Sequence, residues 1–339
     1  MIKPEESLHE STMRQQVRCI THAIRQEESR LRARYAILKY QNGIGLVILL
    51  LALTGMLTSG YLYYIGSIPA WACIFASALF ASISHEIEHD LIHHQYFRDN
   101  PVIYHLMMLV TWLMRPNTVN PWYRRDMHLL HHKVSGSSKD MEERLVGNGI
   151  KPGFSRYLVM FDGLAGLILR RAVLRRELDD FSVSRVLGAT FPLATLYFAC
   201  WYIFLLFHGI DLIFAGDYPA WLLAVMRVID LIVVVLIAPN VVRSGCLNFI
   251  TSNMHYYGNV NGLMQQTQIL DRWYFMPLQL FCFNFGSTHS IHHFVINQPF
   301  YLRQMVASKV HKTMQEQGVR RNDLTTFRSA NRWVEGACQ

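Results

Sequence analysis

Ten of the sixteen histidines stand in three short clusters: His85, His89, His93 and His94; His128, His131 and His132; His289, His292 and His293. An eleventh, His255, stands in Asn253-Met254-His255-Tyr256-Tyr257-Gly258. On a helix, positions i, i+3 and i+4 share a face. The repeated H-x-x-H-H spacing therefore aims three imidazoles one way in the second cluster and three in the third. His85 and His89 share a face as well, His93 follows about 40° further round, and His94 points to the opposite side. Neutral imidazole is a good ligand for iron, copper, nickel or zinc, so convergence of these sets would make a metal centre. Glu86, Glu88, Asp90, Asp140 and Glu142 are candidates to orient the imidazoles by accepting their second N–H. His9, His22, His105, His208 and His311 are scattered and read as ordinary surface or interface residues. The six cysteines show no C-x-x-C pairing and no zinc or disulfide pattern.

The composition says what must position these groups. Hydrophobic residues make up 51% and charged residues 17% of 339, against roughly 25% charged in soluble domains. Mean hydropathy is +0.15. This excludes a disordered chain, a secreted disulfide scaffold and an ordinary soluble globule, and leaves an all-α integral membrane protein. Four segments approach the ~20 residues needed to cross a bilayer: 43–64, 68–84, 186–207 and 220–242. The first two join through a tight Gly66-Ser67 turn and the last two through 208–219, giving two hairpins. The shorter apolar stretches 102–114 and 157–169 suit helices lying at the interface.

Lys and Arg cluster before residue 43, between 84 and 186, and after 243, and are absent from both hairpin tips. The positive-inside rule then puts both termini and the histidine clusters on the cytosolic side of a multi-pass protein, in the inner membrane of a bacterium or the endoplasmic reticulum of a eukaryote. It also accounts for a pI near 9.2 without nucleic acid. The expected organisation is an N-terminal segment 1–42, a membrane domain 43–299 with a helical cap from 85–185 and 243–299, and a tail 300–339 that reads as a small soluble appendix. The polar, basic first 42 residues do not read as a signal peptide. Arg227 and Asp230, at i and i+3 inside the fourth span, are expected to neutralise each other.

His85-Glu86-Ile87-Glu88-His89 also satisfies H-E-x-x-H, the zinc-protease pattern. That reading needs only one further ligand and leaves both H-x-x-H-H clusters without a purpose. A metal transporter would hold its site near the bilayer midplane, away from where these histidines fall. From about Ser84 to Pro299 the chain resembles the membrane fatty acid desaturase and hydroxylase superfamily, which includes sphingolipid desaturases and alkane monooxygenases. The resemblance rests on the order H-x3-H, H-x2-HH, H-x2-HH around two hairpins. Gly136, Asp140 and Glu142 are similar to an HH-x3-G-x3-D-x-E continuation, the Asn284-Phe285-Gly286 approach is similar too, and His255-Tyr256-Tyr257-Gly258 resembles the His-Tyr-Gly element of alkane monooxygenases.

The resemblance implies nine ligands for two ferrous ions: His85, His89, His128, His131, His132, His255, His289, His292 and His293. His93 and His94 form an additional element that could replace or supplement one of these. Thr251 stands where some desaturases carry an asparagine that holds a metal-bound water, and Asn248 could substitute. The implied activity is an oxygen-dependent, non-haem di-iron oxidation of the alkyl chain of a fatty acid or acyl lipid. Desaturation is favoured; fatty acid or alkane hydroxylation, and decarboxylation to a terminal alkene, are the alternatives. Neither the head nor the tail fits a haem, flavin or rubredoxin-like module, so an external ferredoxin, rubredoxin or cytochrome with its reductase is implied. Arg124, Arg125, Lys133, Arg170, Arg171, Arg175 and Arg176 form a basic surface expected to meet that carrier or anionic lipid.

Overall fold

A long run without Asp, Glu, Lys or Arg cannot leave its backbone unpaired in lipid, and a helix satisfies every N–H and C=O internally. The computed structural model describes residues 4–178 and 181–334, with side chains from residue 11 onward; Cys338 lies outside the described residues. Among them the chain is helical, with three isolated β-bridges and no strand. In chain order the helices that matter here are α1 (Pro4–Arg34), α2 (Gln41–Tyr64), α3 (Ala70–Ile92), α4 (Pro101–Met114), α5 (Pro121–Val134) and α6 (Met141–Val146). They continue with α7 (Phe154–Phe161), α8 (Gly163–Glu177), α9 (Val183–Thr190), α10 (Leu193–Phe214), α11 (Ala220–Met254), α12 (Phe285–Phe294) and α13 (Phe300–Glu316).

Four of these, α2, α3, α10 and α11, are long and apolar enough to cross a membrane. The first pair packs together across a Gly66 turn at φ +72°. The third differs from expectation. Pro192 has no backbone N–H to continue a helix, so 183–190 forms the separate α9 and the spanning helix starts only at Leu193. The fourth does not stop at residue 242 but runs on to Met254, carrying Asn248 and Thr251 up to His255. A π-helical turn at Val233–Ile237 precedes Pro239, where the helical ladder must lose a donor. The stretch 157–169 is likewise two helices, because the Asp162 side chain accepts from Ala165 N at 2.9 Å and starts a new one.

Asp230 does not pair with Arg227. Its carboxylate meets His208 Nε2 across the α10–α11 hairpin at 2.8 Å, while Arg227 turns back to the Leu223 carbonyl. α13, within the stretch expected to be a soluble appendix, packs into the body of the protein. Val306, Val310 and Met314 of α13 share a core with Ile20, Ile24 and Leu31 of α1 and with Ile291 and Phe294 of α12. Burial of these apolar side chains anchors α12 against α1 and α13. His311, expected at the surface, is buried there and donates from Nε2 to the Ser287 carbonyl at 2.8 Å, bracing α12.

Candidate metal centre

The histidine clusters converge at the ends of α3, α5, α11 and α12. His89, His93, His128 and His292 form one group and His131, His255, His289 and His293 a second; within each, one nitrogen per ring lies within 4.8 Å of the others, and all eight side chains are buried. His132 adjoins the first group, its Nε2 3.1 Å from His128 Nε2 and 3.0 Å from His292 Nε2. His85 falls outside both groups; its Nε2 sits 3.3 Å from Arg124 Nη2. His94 is also outside, stacked on Tyr104 at 4.8 Å. The cause is local. α3 ends at Ile92, so His93 becomes its C-cap and turns inward, with its Nε2 3.1 Å from that of His292, and the next residue, His94, adopts φ +51° and turns away.

Each contributing helix is aimed by a short-range device. α5 begins at Pro121, with Asn120 Oδ1 accepting from Tyr123 N at 2.9 Å. The chain then turns at Gly136, whose φ of +84° and contact with Val260 leave no room for a Cβ. The Gly136 carbonyl accepts from Gly258 N at 2.7 Å, tying the His255 loop to α5. Gly286 is similarly confined, since a Cβ there would lie 2.9 Å from the Leu270 carbonyl.

The second ring nitrogens are held from behind. His128 Nδ1 meets Glu142 Oε2 at 2.8 Å and His131 Nδ1 meets Asp140 Oδ2 at 2.9 Å. His255 Nδ1 lies 3.0 Å from the Thr251 carbonyl and 3.3 Å from Glu143 Oε1. Gln266 Oε1 holds His293 Nδ1 at 3.0 Å. Glu143 and Gln266 escaped the sequence reading; Glu143 follows an identified Glu142, but nothing local marks Gln266. Glu86, Glu88 and Asp90 do not accept hydrogen bonds from imidazoles. Glu86 and Asp90 take the guanidinium of Arg303 at 3.1 and 3.2 Å, and Glu88 takes Arg115 and Arg124. Arg303 Nη1, from α13, lies 3.0 Å from His292 Nδ1. Arg124 is thus an internal residue and not part of a docking surface, whereas Lys133, Arg171, Arg175 and Arg176 are exposed. Asn248 donates its amide to the Met160 carbonyl at 2.8 Å and makes no hydrogen bond to a histidine among the described residues.

Burial disfavours positive charge on these rings. It carries His93 down to about 2, assisted by the charge of His128, and His255 down to about 3, assisted by His131. His128, His132, His289, His292 and His293 are lowered for the same first reason. His131 is the exception: burial opposes its charge, but the Asp140 carboxylate prevails and raises it to about 10. Neutral imidazoles with free lone pairs are what metal ligation requires.

The donor set fits a pair of d-block ions. Nε2 atoms of separate rings face each other at 3.0–3.3 Å, as expected of nitrogens that each reach one ion at about 2.1 Å. Both nitrogens of His89 and Nδ1 of His289 are buried without a hydrogen-bond partner among the described residues, a costly arrangement unless something else binds them. A small cavity of about 60 Å³ beside them is lined by His85, His89, His128, His131, His289 and Asn248, among others. It shares Val146 and Asn248 with an apolar cavity of about 410 Å³ between α6–α10 and α11.

Fold and site define a helical protein of the membrane-spanning type with a buried multi-histidine centre beside an apolar chamber. The family model for fatty acid desaturase matches residues 65–325, and the chain belongs to that family. No curated protein matches its sequence. Membership implies an oxidoreductase, and the family typically carries two irons, in keeping with the two histidine groups.

Proposed function

We propose that the protein is an oxygen-dependent di-iron desaturase of a fatty acid or fatty acyl lipid. The observation that carries this reading is the pair of four-histidine groups beside an apolar cavity. In this assignment His89, His93, His128, His132 and His292 hold one iron, and His131, His255, His289 and His293 the other. His93 thereby takes the ligand role that the resemblance gives to His85. When bound, the irons supply the redox chemistry needed to activate dioxygen and remove hydrogen from an unactivated methylene, which acid–base side chains cannot do. One saturated carbon–carbon bond, dioxygen, two electrons and two protons yield one double bond and two waters.

The protein's own residues do the rest. Asp140, Glu142, Glu143 and Gln266 fix ring orientation, and Arg303 links His292 to Glu86 and Asp90 on α3. The chamber walls, including Leu164, Leu167, Ala194 and Phe198, take the alkyl chain and keep water from the reacting carbons. His85, Asn248 and Thr251 line the small cavity where chain and oxygen meet. The electrons come from an external ferredoxin, rubredoxin or cytochrome, and the exposed Lys133, Arg171, Arg175 and Arg176 lie on the cytosolic side with the site and both termini.

Expression in a host followed by mass spectrometry of its lipids tests the reading. A loss of two hydrogens supports desaturation, whereas added oxygen or lost carbon dioxide replaces it with hydroxylation or decarboxylation. Ala199→Trp, which fills the chamber wall, should shift product towards shorter chains. Unchanged chain length would place the substrate elsewhere.

A further inference from the structure

The buried cations around the site are matched to carboxylates except for Arg156 and Arg243. Arg115 and Arg124 share Glu88, Arg124 also reaches Glu142, and Arg303 has both Glu86 and Asp90. Arg156 has no carboxylate, but four oxygen acceptors surround its guanidinium. Arg243, on α11, is 2% exposed and has no carboxylate within ion-pair distance among the described residues. It donates only to two amide oxygens, from Nε to Asn240 at 3.1 Å and from Nη2 to Asn117 at 3.2 Å.

A buried guanidinium so poorly paired is costly, and a chain keeps one where an anion arrives to meet it. Arg243 does not itself line the apolar chamber but is tied to its wall through Asn117. Asn117, which accepts from Arg243, is one of the few polar residues in the wall of the 410 Å³ cavity. An apolar hollow with a fixed planar cation behind one polar wall suits an amphiphile with a long alkyl chain and a small, planar anionic head. Guanidinium binds carboxylate through two parallel N–H···O bonds, which an ester or thioester carbonyl cannot reproduce with charge.

We propose that the substrate is a free long-chain carboxylic acid, and that Arg243, with Asn117, is its carboxylate anchor. The proposal rests on the reading of the site as one that oxidises an alkyl chain, and it selects the free acid over acyl thioesters and glycerolipids. Asn117 sets the approach: its Oδ1 fixes the guanidinium, and its Nδ2, now 3.3 Å from Ser244 Oγ, is the donor nearest an incoming carboxylate.

The test is equilibrium binding of radiolabelled hexadecanoic acid and methyl hexadecanoate to the full-length, iron-loaded protein in lipid nanodiscs, with iron content measured on the same samples. The wild type should prefer the acid by about tenfold or more, the range of a charge-assisted hydrogen bond. Arg243→Gln should erase that preference with iron content unchanged, and Arg243→Lys should keep part of it. If Arg243→Gln fails to fold, Asn117→Asp carries the test, because its new carboxylate neutralises the guanidinium in place and should abolish acid preference in a folded protein. Equal binding of acid and ester by the wild type, or acid preference surviving in Asn117→Asp, would overturn the assignment. Those results, with two irons present and the alkyl chain still oxidised, would leave the di-iron reading intact; absence of iron would remove that reading instead.

Discussion

Asp140→Asn separates two jobs that one carboxylate performs. Oδ1 caps α6 by accepting from Glu143 N at 3.3 Å, and Oδ2 holds His131 Nδ1 at 2.9 Å. Asparagine caps a helix about as well as aspartate, so the fold should survive. What is lost is the charge that overrides burial and raises His131 to about 10. Carboxylates behind ligand imidazoles are typically worth about 10–100-fold in metal affinity, or roughly 1.4–2.7 kcal/mol. Asp140→Ala should show the same loss of affinity plus about 0.5–2 kcal/mol of stability from the missing cap. Ferrous ion affinity measured against a competing chelator, beside thermal melting of the metal-free protein, resolves the two effects. Wild-type iron affinity in Asp140→Asn would refute the orienting role. Equal melting temperatures for the two variants would refute the cap.

Two further outcomes follow from the same geometry. Replacing His93 with alanine should cost bound iron, whereas replacing His85 should leave iron content unchanged and alter only turnover; metal analysis of both variants decides, and the reverse order would restore His85 as a ligand. The metal-free protein should be most stable near neutral pH. His93 and His255, held at about 2 and about 3, lie below the ~6.5 of the unfolded chain, so stability falls as pH drops beneath ~6.5, by up to about 1.4 kcal/mol per unit for each. His131 at about 10 has the opposite sign: its contribution is complete below ~6.5 and is lost as pH rises towards 10. Melting curves from pH 5 to 9 in chelator should therefore show a maximum, and a melting temperature that climbs steadily on acidification would contradict the burial of neutral rings.

Much of this protein is legible from short-range pattern. The four apolar runs and the repeated H-x-x-H-H spacing are local signals, and α2, α3, α5 and α12 carry them as expected. Where a single residue changes helix geometry, pattern misled. Pro192 delayed the third spanning helix to Leu193, and the end of α3 at Ile92 turned His93, whose role the spacing left open, into the first histidine group. Partners brought together only by the tertiary fold left no trace. Arg303 meets Glu86 across 217 residues, and Gln266 reaches His293 from an irregular loop with no motif of its own. The 300–339 segment read as a soluble appendix, yet Arg303 of α13 stands directly behind a clustered histidine.

The central claim is that two groups of histidines each hold one iron. Metal analysis of the purified full-length protein tests it most directly: about two irons per chain are expected, falling in both His131→Ala and His292→Ala. A single zinc per chain, or full iron retained in both variants, would contradict the account.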